Sequence, residues 1–242
     1  MNRLIAHSRA VLTLVLMTFG ALVLLVVAAF TLFRLPRLYR EGVVGALGDL
    51  TLALWRVRVV VHQDRPFPEA QTIYISNHTS TIDMFVLISL RLPNARFFLS
   101  GFLRKLLPLG LIGYLTGIFW TVPQSFPEKR VEIFKRTART LRRTRESVYL
   151  SPEGERVTTG EIGHFNKGAF HLATDLKLPI VPFFIAVPRK ADPGKGLNAR
   201  AGTVHVYVKP AIDTSDWKLE DLTANKERIR GMFIGWNKEH RS

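Results

Sequence analysis

The chain has 242 residues, 47% of them hydrophobic, with 34 Lys+Arg against 19 Asp+Glu, no Cys, and a formal net charge of +15. Without cysteine there are no disulfides, zinc-thiolate sites, iron-sulfur clusters or thiol nucleophiles, and nothing calls for an oxidising compartment. The basic excess excludes an acidic, freely diffusing surface and directs attention to nucleic acid, anionic lipid or an acidic carrier protein. Both parts of the chain share it: residues 1–61 hold seven Arg against Glu41 and Asp49, and residues 62–242 keep a net +10.

The first element is an uncharged run of 24 residues, 10–33, between Arg9 and Arg34. As a helix it would extend about 36 Å at ~1.5 Å per residue, enough to cross a bilayer. A cleaved signal would have an apolar region of only about 7–15 residues followed by a small-residue cleavage site, and the sequence after Phe33 does not look like one, so the segment is expected to be retained. Residues 42–55 form a second apolar stretch of 14 residues that includes Asp49. At about 21 Å this is too short for a span, although it can dip into one leaflet. Arg3 and Arg9 precede the first run, and Arg34, Arg37 and Arg40 follow it, so charge assigns no orientation. A helical hairpin in one leaflet, with both ends at anionic headgroups, and a single transmembrane helix both remain open. Trp55 reads as a packing or interface anchor, with a place at headgroup level as one option.

From about residue 58, short apolar runs alternate with helical patterns, which predicts an α/β domain with helices covering a mixed, mostly parallel sheet. The division is a membrane-embedded helical segment, 1–57, and an α/β domain, 58–242. Strands are predicted at 57–61, 72–76, 96–99, 118–122, 147–150, 180–186 and 203–208, and helices at 82–90, 102–107, 128–145, 167–177 and 219–238. Residues 189–202, with Gly, Pro, Lys and Asn, read as a surface loop. In the helix at 128–145, Val131, Phe134, Ala138 and Leu141 make an apolar seam while Lys135, Arg136, Arg139, Arg142, Arg143 and Arg145 are basic. That basic side is either a solvated face or a contact for anionic headgroups or an acidic carrier protein.

Chemistry concentrates in two places. Asn77, His78 and Asp83 lie between a β-rich run and a helical pattern, at the kind of turn where α/β active sites sit. Residues five apart on one helix diverge by about 140°, so His78 and Asp83 meet only if His78 precedes the helix and the loop folds back, with Ser80 or Thr81 as N-cap. If they meet, the carboxylate orients the imidazole and His78 becomes a general base. Otherwise the pair is a structural hydrogen bond. The second place is Ser151-Pro152-Glu153-Gly154-Glu155-Arg156 at a strand end, followed by Gly160 and by Phe165-Asn166-Lys167-Gly168. Glu153 and Arg156 flank a glycine that permits close backbone approach, a cup for a polar or anionic group. His164, His171 and His205 lack metal-ligand spacing. Trp120, Trp217 and Trp236, like Phe97, Phe98 and Leu99, read as packing residues.

The two segments together resemble the glycerolipid acyltransferases of the lysophosphatidic acid acyltransferase type, with their Asn-His-x4-Asp motif and, about 70 residues on, a Phe-Pro-Glu-Gly-Thr-Arg motif. The apolar strand Ile180-Val181-Pro182-Phe183-Phe184 resembles the family's fourth block, so the similarity runs from roughly residue 60 to 210. The resemblance implies transfer of a fatty acyl group from acyl-CoA or acyl carrier protein to a lysolipid hydroxyl, at the cytoplasmic face of the cell membrane. It implies catalytic roles for His78 and Asp83, and acceptor binding by Asn77, Gly117, Glu153, Gly154 and Arg156. No metal or cofactor is implied beyond the thioester co-substrate. With no Gly-x-Ser-x-Gly elbow, the substrate's own alcohol is the natural nucleophile, and backbone N–H groups would stabilise the oxyanion.

Two departures affect the acceptor. The family's second block usually runs from a glycine to an arginine about six residues later, and here Gly117 leads to Pro123; Lys129 and Arg130 would substitute only if their loop folds inward. Glu155 stands where Thr or Ser is usual. Lysophosphatidic acid is the first expectation and a zwitterionic lysolipid, such as a lyso-ornithine type, the second. A non-catalytic binder of anionic lipid and a basic nucleic-acid protein are the rival classes, the latter without a recognition motif.

Overall fold

The computed structural model describes residues 3–196 and 199–240, with side chains from Ser8 onward. The side chain of Arg3, and Leu197 and Asn198 within the expected loop 189–202, lie outside the described residues. In chain order the elements are α1 (Arg3–Phe30), α2 (Gly45–Trp55), β1 (Val57–His62), β2 (Ile73–Ser76), α3 (Ile82–Ser89), β3 (Ala95–Ser100), α4 (Leu107–Thr116), β4 (Phe119–Thr121), α5 (Pro127–Thr144), β5 (Ser147–Leu150), α6 (Gly168–Leu176), β6 (Ile180–Ala186), β7 (Gly202–Val208) and α7 (Leu222–His240). A π-helical segment, Leu38–Val44, leads into α2.

The seven strands form one sheet in the order β1-β7-β6-β2-β5-β3-β4. Neighbours run parallel except β6 and β7. Strand side chains alternate between faces, and the two cores follow that alternation. Tyr74, Tyr149, Val181, Phe183 and Ile185 pack into the core with α1 to α4. Ile73, Ile75, Val148, Leu150, Ile180 and Phe184 pack into the other with α5, α6 and α7. The product is a mostly parallel sheet between two helical layers.

The helix expected at 102–107 is corrected. A short 3₁₀ turn, Leu103–Lys105, occupies that place, and the α-helix is α4, which begins with Pro108 in its first turn. Glycines in 107–116 weaken the helical signal, yet the packing requires one of them, since a Cβ on Gly113 would lie 2.2 Å from the Trp120 ring. Val131 also leaves the seam expected of it: it is 54% exposed, and the buried face of α5 is Thr137, Ala138 and Leu141.

From Ser8 to Phe30, α1 is apolar enough to cross a membrane, with mean hydropathy 2.8. Thr13, Met17, Ala21, Leu24 and Ala28 on one face are buried in the protein, while Val11, Leu14, Val15, Phe19, Leu22 and Val26 on the other are exposed. α2 follows a different course, with six of its 11 residues buried. At Gly48 a Cβ would stand 2.6 Å from Ile88 and 3.0 Å from the backbone of α3, so α2 lies directly on that helix. Trp55 is fully buried, its Nε1–H donating to Thr13 Oγ1 (2.9 Å) and its ring meeting Phe85 edge-on. Of the two places open to Trp55 the structure shows packing and sets aside the headgroup option: both its apolar ring and its polar N–H find partners inside.

Arg40, one of the cations that follow the first apolar run, is buried. Its guanidinium is buried on Glu146 (2.7 Å), which also receives Arg96 (2.6 Å), and its Nε–H donates to Thr116 O. This triad joins the segment after α1 to the loop entering β5 and to the end of α4. Burial alone would raise the Glu146 carboxyl, but the hydrogen bond from Arg96 and the charge of Arg40 hold it below the ordinary range. The triad's contribution is therefore present at neutral pH and lost as pH falls through that lowered value. Glu146→Gln leaves two guanidiniums without a counter-charge and is expected to destabilise the protein by about 3–5 kcal/mol. A denaturant midpoint equal to that of the unmodified protein would contradict this.

Candidate active site

β2 ends at Ser76 between β5 and β6, and the chain leaves the C-terminal edge of the sheet through Asn77 and His78, the position where open α/β sheets place ligands. Residues 77–81 fold back over the start of α3, which brings His78 Nδ1 to 3.0 Å from Asp83 Oδ2. The same oxygen accepts the N–H groups of Thr79 (2.7 Å) and Ser80 (2.9 Å). The Asp83 carboxylate closes the loop ahead of α3, and of the two expected N-cap residues Ser80 is the one that accepts a backbone N–H at the helix start. Thr81 makes no side-chain cap, and Ser80 Oγ accepts only a 3.3 Å bond from Ile82 N–H. Asp83 is wholly buried while His78 keeps 27% of its side chain exposed. A carboxylate on Nδ1 assigns the proton to that nitrogen and leaves Nε2 with a free lone pair.

Asn77 does not face a substrate. Its amide donates to Ile185 O (2.9 Å) and accepts Ile185 N–H (2.8 Å), and it is 1% exposed. The acceptor contact expected of it is corrected: both ends of the amide are engaged in fastening the turn to β6. Glu153 is corrected on the same ground. Oε2 accepts His78 N–H (2.6 Å), Oε1 accepts Gly163 N–H (2.8 Å), and the residue is 2% exposed. It positions the backbone of His78 and Gly163, with almost none of its surface open to a ligand.

Burial pushes the Glu153 carboxyl up to about 6, against the two amide bonds that favour its ionised form. This lies above the ordinary 4.5, so the group's stabilising contribution is complete below about pH 4.5 and is lost as pH rises through about 6. The stability of the unmodified protein relative to Glu153→Gln is expected to fall by about 2 kcal/mol across that interval. Urea unfolding at a series of pH values measures it, and a pH-independent difference would count against the assignment.

Gly154 turns the chain at φ +73°. Asn166 Nδ2 and Gln124 Nε2 lie 2.8 and 3.4 Å from where its Cβ would stand, so only glycine fits between these two amides. Arg156 Nη1 donates to Thr81 Oγ1 (2.5 Å), and Val157 N–H donates to His78 O (2.8 Å). The second segment is thereby pinned beside the imidazole. Thr81 Oγ1 also bonds Gly194 O (3.1 Å), so the loop after β6 reaches the same place.

Gly117, expected to contact the acceptor, instead caps α4 at φ +73° before β4 begins, and its carbonyl accepts Arg96 Nη1 (3.4 Å). That is a turn at the far end of β4 from the His78 edge, and the expectation is corrected. Of the two substitute cations, Arg130 donates to Val122 O (3.2 Å) and braces its own loop, while Lys129 lies over the Phe126 ring. The loop residue that reaches the Glu153–Gly154 turn is Gln124. Sequence reasoning missed Gln124, gave Thr81 only a capping role and placed Asn166 near the turn without a contact; the glycine at 154 was the one signal that something approached closely there.

A mostly parallel α/β domain carries an oriented, partly exposed imidazole at the C-terminal strand edge, an arrangement chemically able to serve as a general base. The profile of the acyltransferase family matches residues 58–186, which contain both motifs, and the chain belongs to that family. It is 28% identical over 170 residues to the 1-acyl-sn-glycerol-3-phosphate acyltransferase of Cocos nucifera, covering 69% of this chain and 54% of that protein. It is 32% identical over 172 residues to the human 1-acyl-sn-glycerol-3-phosphate acyltransferase beta, covering 69% and 60%. The chain therefore spans little more than half of either relative. Its fold matches the crystal structure of the 1-acyl-sn-glycerophosphate (LPA) acyltransferase PlsC from Thermotoga maritima with a TM-score of 0.69 at 20% identity, over 97% of this chain and 99% of that one.

Proposed function

We propose that this protein moves a fatty acyl group from an acyl thioester to the free hydroxyl of a lysophospholipid, with lysophosphatidic acid as acceptor and phosphatidic acid as product. The observation that carries this reading is the His78–Asp83 bond, which leaves Nε2 available at the ligand edge of the sheet. Nε2 takes the acceptor's hydroxyl proton as its oxygen attacks the thioester carbonyl carbon. The tetrahedral intermediate then expels the thiolate, which recovers the proton from the imidazolium, so one ester and one free thiol form and His78 returns unchanged. Asp83 holds the tautomer and offsets the transient positive charge.

Arg156, beside Thr81, supplies the fixed positive charge for the acceptor's phosphate. A cavity on the α1–α4 side of the sheet is lined by Met17, Met84, Phe85, Phe97, Leu109 and Ile112, with Arg40, Glu41, Arg91 and Arg96 also on its wall, and Met84 follows Asp83 in the chain. The exposed apolar face of α1 would lie in the bilayer from which the acceptor comes, with residues 1–57 as the membrane-embedded segment and 58–242 as the catalytic domain.

A second reading is favoured by Gln124, an uncharged amide at the position of the loop that reaches Gly154. A neutral group there suits a zwitterionic lysolipid better than a phosphate monoester. One experiment separates the two: thiol release from palmitoyl-CoA by the purified full chain, with lysophosphatidic acid and zwitterionic lysolipids offered separately. Highest kcat/KM with lysophosphatidic acid supports the first reading, preference for a zwitterion supports the second, and no release with any acceptor refutes acyl transfer.

A further inference from the structure

α7 lies beyond residues 58–186, the stretch the family profile matches, and the site described above uses none of it. One of its side chains nevertheless reaches the loop that holds His78. Arg230 Nε–H donates to Gly163 O (2.7 Å) and Nη2 donates to Ile162 O (3.2 Å), two successive carbonyls that the fork of a guanidinium spans and a point charge does not. Glu227, 3.8 Å from Nη1, steadies the guanidinium from within the helix. Farther along α7, Asn237 Nδ2 donates to Gly160 O (3.0 Å), and Phe233 meets Phe165 edge-on at 5.3 Å. Residues 160–165 are thus fastened to this helix along their length.

What Arg230 holds is shared with Glu153. Ile162 O and Gly163 N–H belong to one peptide unit, and in a trans peptide they point in opposite directions. Arg230 takes the oxygen, while Glu153 Oε1 accepts the N–H at 2.8 Å. Fixing the carbonyl fixes the plane and so aims the N–H, and a cation on the oxygen polarises the peptide and strengthens the bond on its other side. Glu153 Oε2 in turn accepts His78 N–H at 2.6 Å. The approach is close: a Cβ on Gly163 would stand 3.3 Å from Glu153 Oε1 and 2.7 Å from the Val157 side chain, and Val157 N–H is the donor to His78 O. Both backbone polar groups of His78 therefore rest on residues 153–163, and the outer side of that segment rests on Arg230.

A guanidinium on two carbonyls can also be a brace that does no more than keep α7 docked, and the two roles differ in their consequences. A brace acts on the fold as a whole, so any other weakening of α7 would have the same effect. A positioning group acts through one peptide and one carboxylate, so its effect disappears when that carboxylate is gone. The peptide unit shared by Arg230 and Glu153 favours the second.

We propose that Arg230 is a positioning residue for the acyl-transfer site, setting the place of the His78 imidazole through the 162–163 peptide and Glu153. The inference rests on the acyl-transfer reading for the reaction it affects.

The experiment measures thiol release from palmitoyl-CoA with lysophosphatidic acid, and hydrogen exchange at the His78 amide, on the purified full chain in detergent micelles. The variants are Arg230→Ala, Arg230→Lys, Glu153→Gln, the double variant Arg230→Ala with Glu153→Gln, and Leu222→Ala. Leu222 is buried at the start of α7, about two turns before Arg230, and its truncation weakens the docking of the helix. Arg230→Ala is expected to lower kcat by about 10- to 100-fold, as small displacements of a reacting group do, with KM for either substrate changed by less than about threefold. Arg230→Lys, which keeps the charge but reaches one carbonyl, should fall between. Exchange at the His78 amide should quicken by about tenfold or more in Arg230→Ala. In the Glu153→Gln background the same change should lower kcat by less than about threefold further. Leu222→Ala should lower the unfolding temperature and leave kcat nearly unchanged well below it. An unchanged kcat or unchanged His78 exchange in Arg230→Ala overturns the proposal, as does full multiplication of the two single effects in the double variant or an equal loss of kcat in Leu222→Ala. If the unmodified chain releases no thiol with any acceptor, the acyl-transfer reading fails, and the exchange comparison still decides whether Arg230 holds His78.

Discussion

Replacing His78 with alanine is expected to lower acyl transfer by about 10²- to 10⁴-fold, the range over which a positioned general base acts. The effect should lie in kcat, because the variant removes the proposed proton acceptor and leaves Arg156, the proposed acceptor contact, bonded to Thr81 as before. Folding should be nearly untouched. The His78 backbone, held by Glu153 and by Val157 N–H, survives the change, and a half-exposed side chain contributes little to the core. Initial rates of thiol release, with binding of a fluorescent lysolipid as control, measure both. Retained turnover would remove His78 from the mechanism, and lost lysolipid binding would assign it to the acceptor instead.

Asp83→Asn should be nearly as damaging to rate and should also cost stability. Oδ2 receives three N–H groups, from His78 Nδ1, Thr79 and Ser80, in a fully buried position. If the new amide turns its oxygen toward them, its NH₂ takes the place of Oδ1, a buried atom without a partner among the described residues. If it turns the other way, three donors face a donor. Either arrangement leaves buried polar groups unsatisfied at a cost of about 1–3 kcal/mol. Neither supplies the negative charge that stabilises the imidazolium, so kcat should fall by about 10²- to 10⁴-fold. Thermal unfolding and thiol release together test this. A variant as stable as the original would show that the turn does not depend on the carboxylate, and one as active would show that the imidazole needs no orienter.

The two variants separate the jobs of the turn. On the proposed mechanism His78 would carry chemistry and little structure, while Asp83 would carry both, because one oxygen closes the loop and aims the ring. Glu153 and Asn77 complete the arrangement from outside the reaction by holding the backbone from which the imidazole projects. A site assembled from four segments, at residues 77–83, 124, 153–166 and 194, has its precision set by β2, β5 and β6, the central strands on which three of these segments end.

Much of this was determined by sequence alone. The strands were legible because a continuous apolar run such as 180–186 has one favourable fate, a strand covered on both faces, and the pattern of α5 carried its own helical period. The apolar length of α1 required no fold to be noticed. The pairing of His78 with Asp83 was legible as a possibility, since a spacing of five excludes a regular helix between them. Tertiary structure alone decided the rest. The backbone amides of residues 78, 163 and 185 become partners for Glu153 and Asn77 only when distant strands align, so residues that looked like substrate contacts proved to be braces. Trp55 and Arg40 lie in stretches that read locally as membrane-facing. They are buried because Thr13 and Glu146, 42 and 106 positions away in the chain, supply hydrogen-bonding and charge partners that local sequence cannot display.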